Sequence, residues 1–91
     1  MSETILEEAQ RLVGGDRQTS YGHPLDNMTR VAQMWTAILG VDVTPQQVGL
    51  CMMALKISRQ CNAGKRDNLV DIAGYAAVVQ MCLDEKERRE S

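Results

Sequence analysis

Apolar residues recur every three or four positions through four stretches of the chain, and each stretch is bounded by residues that start or stop helices. The first carries Ile5, Leu6, Ala9, Leu12 and Val13 behind Thr4 and Glu7, which have capping-box spacing, and it stops at Gly14-Gly15. A helix over about residues 3–13 follows. Asp16 to His23 has no period and few apolar residues, so it reads as an ordered or semi-ordered loop. Pro24 suits a first helical turn, and Leu25, Met28, Val31, Ala32, Trp35, Ile38 and Leu39 form a stripe that ends at Gly40. These predict a second helix over about 24–39, with Trp35 in the core. Thr44, Pro45 and Gln47 start a third helix over about 45–60. That helix is apolar nearly all round. Val48, Cys51, Met52 and Leu55 share one face and Leu50, Met53, Ala54 and Ile57 lie around the other, which predicts a central position. Asp67 can cap a fourth helix over about 67–84, carrying Leu69, Val70, Ile72, Ala73, Ala76, Ala77, Val79 and Met81. The charged tail over 84–91 could extend that helix by a turn or two, but it has nothing to bury and is expected to fray. No stretch alternates with period two. The prediction is an all-α, four-helix bundle forming a single domain over residues 1–91.

Composition narrows the function classes. Ten Lys and Arg against twelve Asp and Glu give a net charge of −2, which argues against coating nucleic acid through overall charge. No run approaches the roughly 18 apolar residues of a membrane span, and Glu3, Glu7 and Glu8 stand where a signal peptide would be basic. The expectation is a protein of the cell interior. Cys51, Cys61 and Cys82 are odd in number and lack metal-binding spacing, so they read as buried reduced thiols. A chain this short with two strongly apolar helices is expected to form a homo-oligomer, with the small residues Ala73, Ala76 and Ala77 and parts of the third helix at its surface.

Two clusters carry candidate chemistry. Lys56 and Arg59 share a face of the third helix, and Asp67 and Asp71 share a face of the fourth. A short connection makes these helices antiparallel, bringing the four charges to one end of the bundle. They form either an interhelical salt-bridge cluster or a phosphate site, with Lys56 and Arg59 on phosphate oxygens and Asp67 and Asp71 on a divalent metal. Asn68 and Tyr75 extend that face and are placed to reach a base or ribose, although a half-buried ring would equally explain Tyr75. The second cluster is TSYGHPLDN, with Tyr21, the single histidine His23, Asp26 and Asn27. His23 reads as a helix cap or a surface imidazole unless a ligand recruits it. No P-loop, dinucleotide fingerprint, zincin motif or nucleophile elbow is present.

The blocks DRQTSYGHPLDN, TPQQV, LKISR and DNLVDIAGYA together resemble a family of small phage and prophage proteins, over about residues 14–83. That family is similar to phage nucleotide-modification-associated domains and to MazG-like, all-α nucleoside triphosphate pyrophosphohydrolases. The resemblance implies a MazG-like bundle that binds Mg²⁺ through E-x-x-E and E-x-x-D motifs. Asp71 stands at the metal-binding Asp of the second motif, while Asn68 replaces its Glu. The first motif has no counterpart, since Asp26, Asn27 and Arg30 occupy the second helix instead. Loss of an acidic pair damages hydrolysis more than binding.

Three functions are therefore expected in turn. The first is a nucleotide-binding protein, acting as a Mg²⁺-dependent pyrophosphohydrolase if it is catalytic, with Tyr21, His23 and Asn27 around base or sugar. The second is non-catalytic sequestration of a nucleotide or nucleotide-derived host defence signal. The third is a structural or protein-interaction bundle.

Overall fold

The computed structural model describes residues 2–91, without the Asp16 side chain. Helix α1 (Ile5–Gly14) begins as its sequence dictates: the Glu7 N–H donates to Thr4 Oγ1 at 3.1 Å and the Thr4 N–H donates to Glu7 Oε1 at 2.9 Å. Helix α3 (Pro24–Leu39) starts after His23 and ends at Gly40, whose φ of 75° is the left-handed conformation glycine tolerates. Helix α4 (Pro45–Asn62) carries a second full capping box on Thr44 and Gln47. Helix α5 runs from Arg66 to Glu90. The all-α bundle of four long helices is as predicted.

Three boundaries differ from expectation. Asp16–Tyr21 is a short helix, α2, where a loop was expected; it ends at Gly22 with φ 80°. Six residues are too few for hydrophobic periodicity to register. The cap of α5 is Lys65, with no side-chain bond, so Asp67 lies inside the first turn, where a carboxylate still meets the positive end of the helix dipole. The tail does not fray in this structure. It stays helical to Glu90 because Arg88 and Arg89 clamp Glu85 at 2.6 and 2.8 Å, and Arg89 reaches Asp26 of α3 at 2.8 and 3.2 Å.

The core joins Leu25, Met28 and Ala32 of α3 to Val48 of α4 and Cys82 of α5, with Val31, Trp35, Val43, Met52 and Val78 packed around them. Trp35 thus borders the core half-buried instead of filling it. Helices α4 and α5 run antiparallel: Gly49 faces Val79, Lys56 faces Asp71 and Gln60 faces Asn68. Gly49 permits the close approach, since a Cβ there would stand 2.5 Å from Val79 Cγ2. Helix α1 packs on α5 through Ala9 and Val13, and Arg66 ties the two together by bonding Glu8 at 2.7 Å and the Glu3 carbonyl at 2.9 Å.

The central position predicted for α4 holds only for a narrow stripe, since Cys51 and Leu55 of the predicted inner face are themselves exposed. Val48 and Gly49 are buried and Met52 packs on the core, whereas Leu50, Leu55 and Ile57 are 42–53% exposed. The cysteines divide likewise. Cys82 is buried, which pushes its thiol pKa up, but Cys51 and Cys61 are exposed. Periodicity identifies apolar faces without saying which of two the bundle will cover.

Candidate functional site

A cavity of about 390 Å³ opens where all five helices meet. The short helix α2 contributes Arg17, Gln18 and Tyr21, which share a face at spacings of three and four. From α3 come Pro24, Asn27 and Met28, one turn of helix oriented by its cap. Lys56 enters from α4, and Asp71, Tyr75 and Val78 enter from successive turns of α5. Val13 of α1, Met28 and Val78 supply apolar wall, so charged, amide and phenol groups stand against a hydrophobic background, as ligand pockets require.

The charged groups form a single cluster. Lys56 Nζ lies 3.1 Å from Asp71 Oδ2, and Arg17 Nη2 lies 3.8 Å from Asp71 Oδ1. The Lys56 and Asp71 side chains are 16% and 21% exposed, so they interact through partly excluded water, while Arg17 is 47% exposed and turns toward solvent. Tyr21 stands at the rim, 60% exposed. An anion entering the cavity would meet an ammonium and a guanidinium with the Asp71 carboxylate between them, and several neutral hydrogen-bonding groups.

Of the predicted site residues, Lys56, Asp71, Tyr75, Tyr21 and Asn27 line this one cavity. The others stand elsewhere. Arg59, placed beside Lys56 by sequence, is exposed and absent from the lining, and Asp67 is exposed in the first turn of α5. Asn68 donates to Gln60 Oε1 at 3.2 Å and lies 3.5 Å from the Ala63 carbonyl, holding the α4–α5 connection together. His23 caps α3: its Nδ1 accepts the Leu25 N–H at 3.0 Å.

Arg17 and Gln18 were missed. Their signal was present in the i, i+4 spacing of Arg17 and Tyr21, hidden because the segment read as a loop. Next to the cavity, Asp26 is held below the usual carboxylate range by hydrogen bonds from Arg89.

The described donors of the cavity do not fit a resident Mg²⁺. Among the described residues no group of three or more His, Cys, Asp or Glu is placed to share an ion. Asp71, the carboxylate of the lining, already holds two cations that a metal would have to displace.

The profile of a family described as a domain of unknown function (DUF6378) matches residues 4–83. The chain is 41% identical over 86 residues to the Gene 55 protein of Mycobacterium phage D29, covering 93% of this chain and 57% of that protein. It is 42% identical over 88 residues to the Gene 55 protein of Mycobacterium phage L5, covering 93% and 56%. The chain thus spans a little over half the length of these phage relatives. No solved structure matches it.

Proposed function

This chain belongs to the DUF6378 family, and we propose that its five-helix cavity binds a nucleotide and holds it without cutting it. The observation that carries this reading is the convergence of Lys56, Arg17 and Asp71 with Tyr21, Tyr75 and Asn27 around one opening. Lys56 and Arg17 supply charge-assisted donors to phosphate, worth about 1.5–3 kcal/mol each. Tyr21 and Tyr75 offer ring faces for a base, for which stacking contributes about 1–3 kcal/mol. Asn27 and Gln18 can read polar edges of base or sugar. Sequestration of a nucleotide or nucleotide-derived host signal is favoured over pyrophosphohydrolysis because the described residues of the cavity offer one carboxylate, itself engaged, where triphosphate cleavage calls for several around Mg²⁺.

A nucleotide panel screened by thermal shift and calorimetry, with and without Mg²⁺, tests the reading. Stoichiometric binding that stabilises the fold is the expected result. No binding by any nucleotide returns the cluster to a structural role. Release of pyrophosphate in the presence of Mg²⁺ makes the protein an enzyme and ends the non-catalytic reading.

Self-association belongs to the same proposal. Leu50, Ile57, Ile38, Leu39 and Val41 are each at least 50% exposed, apolar side chains that a second copy of the chain would cover. Light scattering should give at least twice the 10.1 kDa chain mass. A monomer mass independent of concentration removes this part.

A further inference from the structure

The number of phosphates on the ligand is set by the charges that line the cavity. Among the described side chains of the wall, two cations, Lys56 and Arg17, face one carboxylate, Asp71, and the remaining polar groups are amides and phenols, so these side chains together carry a single net positive charge. From this we infer that the cavity takes a nucleotide bearing one phosphate group, without a metal ion, and that Asp71 sets that limit. The inference rests on the nucleotide reading above.

A triphosphate brings three or four negative charges, which proteins neutralise with Mg²⁺ or with additional Arg and Lys. The described residues supply neither a metal-donor set nor a third cation at the cavity. No group of three metal donors exists among the described residues, Arg59 does not line the cavity, and Arg66 is committed to Glu8 at 2.7 Å and to the Glu3 carbonyl at 2.9 Å. Asp71 acts as an anion already in residence. It holds Lys56 at 3.1 Å and Arg17 at 3.8 Å so that one phosphate can share them, and it repels any further phosphate brought toward the same spot.

The test is a titration of the full chain, in EDTA, with adenosine, guanosine, cytidine and thymidine carrying zero, one, two or three 5′ phosphates. The expected result is tightest binding by a monophosphate, with the parent nucleoside and the triphosphate each at least tenfold weaker. Asp71→Asn should narrow or reverse the preference for monophosphate over triphosphate, because the repelling charge is gone while both cations remain. Affinity that rises steadily from mono- to triphosphate, affinity that increases with added Mg²⁺, or an Asp71→Asn protein of unchanged preference overturns the inference and leaves nucleotide binding standing. Failure of every compound to bind removes the nucleotide reading itself. The wild-type series decides alone if Asp71→Asn does not fold.

Discussion

Helix α5 carries one carboxylate shared by two cations near each end, and the two clusters are built very differently. Toward the C-terminus, Glu85 receives Arg88 and Arg89 at 2.6–2.8 Å, one turn away on the same helix, and Arg89 goes on to grip Asp26 with two bonds. Toward the N-terminus, Asp71 receives Lys56 from α4 at 3.1 Å and Arg17 from α2 at 3.8 Å. The first cluster is closed: its guanidinium donors point at carboxylate oxygens, and its work is to hold the last turns of α5 against α3. The second is loose, stands in the wall of a cavity, and draws its members from three helices. Fork geometry saturates donors, whereas a point ammonium and a distant guanidinium keep donors to spare for an incoming anion. Two cations therefore make a fastening where Glu85 and Asp26 saturate them, and a binding surface where Asp71 alone meets them.

The largest effect expected from breaking this contrast is at Lys56. Lys56→Met retains most of the apolar stem but removes the charge, and should weaken nucleotide binding about ten- to a hundredfold, the equivalent of about 1.5–3 kcal/mol. Calorimetric titration checks it, and unchanged affinity in a folded variant would remove the cavity's principal cation from the site. At the other cluster, Arg89→Ala should release the tail and leave the ligand bound as before. Amide hydrogen exchange over residues 84–90 should speed up markedly while exchange around Lys56 and Asp71 does not, and the reverse pattern would mean that the clusters have been assigned the wrong roles.

Acid should separate them further. Hydrogen bonds from Arg88 and Arg89 hold the Glu85 carboxyl down at about 2, from an ordinary 4.5, and those from Arg89 lower Asp26 as well. Because the folded state binds its proton more weakly than the unfolded state, the clamp contributes fully above pH 4.5, and the contribution is lost as pH falls from there toward about 2. Circular dichroism between pH 5.5 and 2 should show a loss of helix that is smaller when Glu85→Gln and Asp26→Asn have already removed the titrating groups. An identical acid profile in that variant would place the acid-sensitive contacts elsewhere. The smallest effect expected is that of Arg17→Ala on the melting temperature. A half-exposed pair at 3.8 Å should change stability by under about 1 kcal/mol, even as nucleotide affinity drops. A large fall in stability would make Arg17 a fastening after all.

Whatever depends on near neighbours along the chain was determined by the sequence alone. The capping boxes at Thr4 and Thr44, the proline starts at Pro24 and Pro45, and the stop at Gly40 are interactions over three or four residues, and the long helices begin and end close to where those signals stand. The same locality placed Asp71 and Tyr75 on one face of α5, and it allowed Lys56 to be singled out on an apolar helix. Tertiary structure decided which partner each of these groups meets. Both Lys56 and Arg59 were open to Asp71 on helical spacing, but in the antiparallel register of α4 and α5 Lys56 faces it while Arg59 stands one turn further along, in solvent. Gly49 lies against Val79 in the same register, and its missing Cβ lets the two helices approach there. Arg17 could join Asp71 only once α1, α2 and α5 were assembled, and the exposed half of α4 became visible only when the covered half was fixed. Hydrogen bonds within a turn are written in a few consecutive residues, but a cavity formed by five helices depends on how their faces fit together, which no single stretch of sequence contains.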